Sequence, residues 1–417
     1  MSTVKTGFLH YSAPPVVGGV EAVMEAHARI FVQSGYPVTV IAGQGDAASL
    51  PEGTELVVIP EMDTQHPRVL EISAQLEAGS VPDTFAAFRD ALAESLRPVV
   101  QPLDLLIVHN VFSKHFNLPL TAALFRLMDE GAIRRCLAWT HDLTWTSPNS
   151  RSKVYDGYPW DLLRTGHRRM RFVAISEQRR QELVDLLSIP PDQVDVIYNG
   201  VDPLIWFGLS PEGYSLAQKL DLLTSDLILL MPVRITQAKN IEFAGEVLAA
   251  IKARGISPRL VVTGPPDPHD EGSMAYYHSL LDLCSLLDAE KEMRFVFECG
   301  EDDDSPYLIS PQVVADLLRV SDVLFLPSHR EGFGMPVLEA GLIGVPVVCS
   351  DRVPAGVEIG GKNVYLFNPG AKPDEVARLI LDRAVNNASC RFRREVRQNF
   401  TWEQIFRRKI VPYLEQG

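Results

Sequence analysis

The chain has 417 residues, 46% of them apolar, and a formal net charge of −14. At roughly 150 residues per domain, that length suggests two or three domains, and the composition excludes disordered and fibrous classes. The acidic balance argues against nucleic acid as a partner, since phosphate backbones are held by an excess of Lys and Arg, and against broad adhesion to an anionic membrane.

The cysteines (Cys136, Cys284, Cys299, Cys349, Cys390) are scattered and form no CxxC pair. That fits reduced thiols rather than a disulfide framework or a zinc site. Residues 1–10 contain no apolar signal segment, and the longest apolar run, residues 227–233, is far short of a membrane span. The expectation is a cytoplasmic protein without integral membrane association; its oligomeric state is not legible.

In chain order, short β-branched runs alternate with amphipathic stretches, the pattern of α/β units around parallel sheets. Strands are predicted at 7–10, 38–42, 56–59, 105–108, 137–140, 172–175 and 194–197. Helical periodicity is clearest over 20–31, where Val20, Val23, Met24, His27, Ile30 and Phe31 share a face. A second series places strands at 227–231, 259–263, 294–297, 323–326 and 345–349, and helices at 241–254, 274–288, 311–319 and 335–343. Between the two series, Asn199-Gly200-Val201-Asp202-Pro203 and then Gly208, Pro211 and Gly213 read as a turn-rich connection. The predicted division is therefore 1–200 and 201–400. A final helix over 401–417 offers Trp402, Ile405, Phe406, Ile410 and Tyr413 for packing. Two similar α/β domains with a cleft between them is the expected shape, with ligands at the carboxyl ends of the strands.

Three segments imitate ligand motifs. Gly43-Gln44-Gly45-Asp46-Ala47-Ala48 has the glycine spacing of a dinucleotide fingerprint, but Ser49-Leu50-Pro51 follows where a helix should open. Residues 356–363 approach a P-loop, yet Asn363 stands where Ser or Thr would hold magnesium, and a strand-like Val364-Tyr365-Leu366 follows. Both read as turns. The acidic run Glu301-Asp302-Asp303-Asp304 lacks the spaced ligands of a calcium loop and reads as solvated.

Four segments carry more. In Glu331-Gly332-Phe333-Gly334-Met335-Pro336-Val337-Leu338-Glu339, glycines and Pro336 place Glu331 on a loop before a helix and Glu339 inside it. Helical side chains lean toward the N-terminus, so two carboxylates beside free backbone N–H groups can grip hydroxyls and an anion together. In Arg234-Ile235-Thr236-Gln237-Ala238-Lys239-Asn240, Asn240 is positioned to cap the next helix, and Lys239 sits where the helix dipole disfavours a cation. A bound anion shared with Arg234 would resolve that conflict; two solvated cations is the plainer reading. Gly18-Gly19 lies between the first strand and first helix, where backbone can approach a ligand or simply turn. His141, in Trp139-Thr140-His141-Asp142, ends a strand and would face the cleft.

Together these segments resemble the retaining GT-B glycosyltransferases of family 4, which include sucrose-phosphate synthases and bacterial mannosyl- and glucosyltransferases. The glycine pair, Val173-Ala174-Ile175-Ser176, Tyr198-Asn199-Gly200-Val201-Asp202, the Arg234/Lys239 loop and Glu331 to Glu339 occur in the family's order. The resemblance implies two Rossmann-like domains facing across a cleft: an acceptor-side domain over 1–200, a donor domain over 201–400, and a last helix returning to the first. It implies a nucleotide-sugar-dependent hexosyltransferase that moves glucose or mannose from a UDP- or GDP-hexose to a hydroxyl of a soluble sugar or small polar acceptor. By the same resemblance Arg234 and Lys239 clamp the diphosphate, and Glu339 holds the ribose hydroxyls. Glu331 and the amides of Phe333, Gly334 and Met335 lie along the donor sugar and phosphate. Gly18 and Gly19 approach the diphosphate, and His141 contacts the sugar near its reacting carbon. No metal and no further cofactor are implied. Gly264-Pro265-Pro266-Asp267-Pro268 replaces the glycine-rich segment that many relatives carry beside the base site, so the donor base stays open. A GT-B phosphorylase or epimerase, and a non-catalytic nucleotide-sugar sensor, remain as alternatives.

Residues 164–180 hold six arginines (Arg164, Arg168, Arg169, Arg171, Arg179, Arg180) and one acid, Glu177. A solvated face is the favoured reading over an acceptor or lipid contact.

Overall fold

The computed structural model describes residues 4–267, 272–300 and 307–415. Glu301 to Asp304 and Pro268 lie outside the described residues. The chain forms two compact units, one ending at Gly200 and taking up the chain again from Trp402, the other running from Val201 to Thr401.

The first unit is built on a seven-stranded parallel sheet of β1 (Thr6–Leu9), β2 (Val38–Ala42), β3 (Thr54–Val58), β4 (Leu105–His109), β5 (Cys136–Thr140), β6 (Met170–Ala174) and β7 (Val194–Val196). Their order is β3-β2-β1-β4-β5-β6-β7, so connections run outward in both directions from the β1/β4 pair. Every residue of β1, β4 and β5 is buried, the continuous burial expected of strands covered on both faces. The side-chain period of two sorts them: Phe8, Leu105 and Ile107 enter one core, and Leu9, Leu106 and Val108 the other. The first core is closed by the helix Gly19–Gln33, through Met24, Ala28 and Phe31, and by Ile405, Phe406, Ile410 and Tyr413 from the end of the chain. The helices Pro67–Glu77, Thr84–Val100 and Leu118–Asp129 cover the second.

The second unit repeats the plan with six parallel strands: β8 (Leu227–Met231), β9 (Pro258–Val262), β10 (Met293–Phe295), β11 (Val323–Leu326), β12 (Val347–Ser350) and β13 (Tyr365–Phe367). The order β10-β9-β8-β11-β12-β13 again reverses beside its first strand, between β8 and β11. A buried ion pair is committed to this core. Asp322, just before β11, accepts the Ile228 N–H at 2.9 Å and pairs with Arg397 at 2.8 Å. Arg397 also donates to the Leu222 carbonyl, and both side chains are almost fully buried.

Several sequence expectations need correction. The connection after residue 200 is helical rather than a run of turns, with helices at Pro203–Trp206 and Pro211–Lys219. Each proline occupies the first helical turn, where its missing N–H costs nothing, and Asp202 and Ser210 cap the two helices. Gly213 is there for packing: a Cβ would lie 2.3 Å from the buried Asp316 carboxylate. Residues 356–363 form a wide helical turn, Gly356–Gly360, and a tight one, Gly361–Asn363, before β13. Predicted strand ends lie within two residues of those observed, as for 345–349 against Val347–Ser350. Gly43 to Ala48 is a loop with one short turn, capped by the Asp46 carboxylate on the Ala48 N–H at 3.0 Å.

Candidate functional site

In open parallel sheets, ligands sit beyond the carboxyl ends of the strands where the connection order reverses. In the second unit that point lies between β8 and β11, and the loops leaving β8, β9 and β11 are laced together there. Ile235 donates its N–H to the Pro265 carbonyl at 3.0 Å, and His329 donates to the Ala238 carbonyl at 2.9 Å. Asn240 adopts a left-handed conformation (φ 54°), which turns the chain from the short helix Gln237–Lys239 into Ile241–Lys252. It does not cap that helix; its side-chain amide donates instead to the Pro327 carbonyl at 3.2 Å. The lacing fixes Lys239 against the loop that carries Glu331.

Lys239 and Glu331 meet as a two-pronged pair, with Nζ 2.8 and 2.7 Å from the two carboxylate oxygens. Both side chains are under one-fifth exposed. The anion that relieves Lys239 of its unfavourable place is thus supplied by the protein itself. Ser328 adds a hydroxyl at 3.3 Å from Oε2 of Glu331. Arg234, by contrast, is 61% exposed and stands 3.7 Å from Asp267.

The helix Met335–Ile343 starts at the same place. Gly334, its N-cap, has φ 96°, and a Cβ there would meet Val353 Cγ1 at 2.6 Å, so glycine is required on both counts. The N–H groups of Phe333, Gly334 and Met335 make no hydrogen bond among the described residues, although the Phe333 carbonyl accepts from Ala355 at 2.8 Å. Glu339 is exposed and has no partner among the described residues. The second unit therefore brings together a mostly buried ammonium–carboxylate pair, the Arg234 guanidinium, a free carboxylate and three free amides.

In the first unit the reversal lies between β1 and β4. Gly18 and Gly19 differ there. A Cβ on Gly18 would lie 2.1 Å from the Glu21 carboxylate, so Gly18 makes room for a side chain of its own unit; around Gly19 there is open space within 4 Å. Glu21, on the first helical turn, is buried and accepts the Ser12 hydroxyl at 2.6 Å, and its Oε1 stands 3.7 Å from Nε2 of His10.

His141 follows β5 and is buried. The Asn110 side-chain oxygen accepts its backbone N–H at 2.8 Å, and its Nε2 lies 3.1 Å from Nδ1 of His109. His109 is fully buried, and its other nitrogen has no partner among the described residues. An unpaired buried lone pair is more tolerable than an unpaired N–H, which assigns the His109 proton to Nδ1, donating to His141. His141 then carries its own proton on Nδ1. His10, His109 and His141 stand at the carboxyl ends of the adjacent strands β1, β4 and β5. Only His141 was singled out from the sequence. The shared signal, a histidine closing each apolar run, was available for all three.

Burial, and then the neighbouring His10, hold His141 at a pKa of about 4; burial, and then His141, hold His27 at about 3. Both lie below the usual histidine value, so the unfolded chain binds these protons first as pH falls. Stability is complete above about pH 6.5 and declines toward pH 4, with a slope of about 1.4 kcal/mol per pH unit for each histidine. His27→Phe, which keeps an aromatic ring beside Phe8 and Trp139, should remove about 2 kcal/mol of the stability difference between pH 7 and pH 5. Urea midpoints at the two pH values measure this; an unchanged difference would show that His27 is not responsible.

Among the described residues, no group of three or more His, Cys, Asp or Glu side chains is arranged to hold a metal ion, and no helix is long and apolar enough to cross a membrane.

Two family models match the chain, one to each unit. Residues 17–203 match the model described as Glycosyltransferase Family 4, and residues 215–400 that described as Glycosyl transferases group 1. An uncharacterized glycosyltransferase of Methanocaldococcus jannaschii is 26% identical over 58% of this chain and 59% of its own length. A D-inositol 3-phosphate glycosyltransferase of Kineococcus radiotolerans is 30% identical over 48% of this chain and 42% of its own. The chain thus spans about half the length of the curated relatives it matches. Among solved structures, sucrose-phosphate synthase from Thermosynechococcus elongatus aligns over 98% of both chains at 15% identity, with a TM-score of 0.41. The chain belongs to the family 4 type of glycosyltransferases, with two Rossmann-like units of the GT-B class.

Proposed function

We propose that this chain is a retaining glycosyltransferase that moves a hexose from a nucleotide diphosphate sugar to a hydroxyl of a soluble sugar or small polar acceptor. The observation that carries the reading is the Lys239–Glu331 pair at the reversal point of the second sheet, beside three free amides and the unpartnered Glu339. In this reading Lys239, Arg234 and the amides of Phe333, Gly334 and Met335 neutralise the diphosphate as the bond to the sugar breaks. Glu339 accepts hydrogen bonds from the ribose hydroxyls. Glu331 orients Lys239 and lies along the donor sugar. In the N-terminal unit, taken as the acceptor side, Gly19 leaves bare backbone open to a ligand, and His141 has its Nδ1 proton to donate to a sugar oxygen. The anomeric carbon–oxygen bond to phosphate breaks, the acceptor oxygen bonds to the same face of that carbon, and the acceptor proton passes to the departing phosphate oxygen. No group beyond donor and acceptor enters this scheme.

A thermal-shift series with UDP-, GDP- and ADP-hexoses tests the reading, because a ligand that binds only the folded chain raises its apparent stability. One of the three should stabilise the protein, and Glu339→Ala should weaken that donor's binding by about 10- to 100-fold, the worth of hydrogen bonds to a charged group. No stabilisation by any of them, or equal donor affinity in the variant, would count against it.

A further inference from the structure

We propose that the first unit carries a second anion site, at the amino ends of its strands, that takes a small ligand bearing phosphate groups. The site does not depend on the donor-site reading. The arginine-rich stretch does not act as one face. Arg164 stacks on Trp145 at 4.1 Å and pairs with Asp156 and Asp161, each at 2.7 Å. Arg179 pairs with Glu182 and donates to the His141 carbonyl, and Arg180 pairs with Glu177. Arg168, Arg169 and Arg171 instead turn toward an open cavity of about 770 Å³, which Arg135 also lines.

The four guanidinium groups fall into two kinds. Arg135 and Arg171 are fixed: Arg135 donates to the Tyr413 carbonyl, and Nε of Arg171 lies 2.5 Å from Asp195, which the Tyr413 hydroxyl also reaches. Each guanidinium has five N–H donors, so both keep donors in reserve. Arg168 and Arg169 have no carboxylate partner among the described residues, and the Nε of Arg169 is buried without a hydrogen bond. Among the described residues Asp192 is the one carboxylate on the lining, and Asp195 is taken by Arg171. Clustered guanidinium groups with so little counter-charge repel one another, and in a chain of net charge −14 that is a marked local reversal. Arginine forks match phosphate oxygens two at a time, which favours a phosphate-bearing anion over chloride. The volume lies in the range of small-molecule sites and far exceeds one phosphate, and Met170, Phe172 and Ile189 offer apolar lining for an organic body.

The cavity touches the first residues of β4, β5 and β6, whereas His141 follows the last residue of β5. A five-residue strand spans about 15 Å, so a ligand here leaves the carboxyl-end residues free.

Calorimetric titration of the full chain with inorganic pyrophosphate tests the proposal. Lys239→Ala serves as background, to weaken the anion site of the second unit. Binding should persist in that background and weaken by about tenfold or more when Arg168→Gln and Arg169→Gln are added. Co-sedimentation with phosphatidylcholine vesicles, with and without phosphatidylglycerol, identifies the source of the phosphate. Pyrophosphate binding without sedimentation assigns it to a soluble ligand. Sedimentation that is lost with the two arginines assigns it to a lipid headgroup. If neither pyrophosphate nor vesicle binding depends on Arg168 and Arg169, the site does not exist.

Discussion

Replacing Lys239 by alanine should lower kcat/KM for sugar transfer by about a hundredfold to a thousandfold, the cost of removing one preorganised donor to a developing anion. Its effect should exceed that of Arg234→Ala. Lys239 is held by Glu331 at 2.7 and 2.8 Å in a mostly buried position, while Arg234 is 61% exposed and screened by water. Removing the ammonium also leaves the Glu331 carboxylate facing an incoming diphosphate, so repulsion is added to the lost attraction. Steady-state kinetics of the two variants, with circular dichroism as the folding control, give the ordering. Unchanged turnover in Lys239→Ala, or a larger loss in Arg234→Ala, would remove Lys239 from its assigned role.

Arg397→Met should destabilise the second unit by about 3–5 kcal/mol, the range for breaking a buried ion pair from one side. Asp322 is 4% exposed, and after the substitution it would keep the Ile228 N–H but lose its countercharge. Adding Asp322→Asn should recover part of the loss, because a neutral amide oxygen can still accept from Ile228 and carries no charge to leave unpaired. Guanidinium midpoints of the single and double variants measure both effects. A loss below about 1 kcal/mol in Arg397→Met would mean that water reaches Asp322.

Parallel strands were the most legible elements, because burial on both faces leaves continuous apolar runs such as Leu227–Met231. Helices were less so, for opposite reasons. Leu118–Asp129 is buried nearly all round, whereas Glu177–Leu187 buries only Leu183. The prolines and glycines after residue 200 misled because the same residues serve helix entry and close packing, as Pro211 and Gly213 do here. At the candidate site, charge type and glycine context singled out Lys239 and Glu331 one at a time. Their pairing could not be read, since they are 92 positions apart and meet only because β8 and β11 are neighbours. Nor did spacing along the chain reveal that His109 sets the proton position on His141.

The helix that begins at Trp402 completes a core begun by Phe8, Met24 and Phe31, so the first unit is sewn from both ends of the described chain. During synthesis that has a temporal consequence. At about 5–20 residues per second, the apolar face around Phe31 waits roughly 10–40 s while the second unit is made. The second unit, unbroken from Val201 to Thr401, has all its strands in hand before Phe406, Ile410 and Tyr413 arrive. The nascent first half is therefore the stage most in need of a chaperone, and it is the arrival of Phe406, Ile410 and Tyr413 that ends that need.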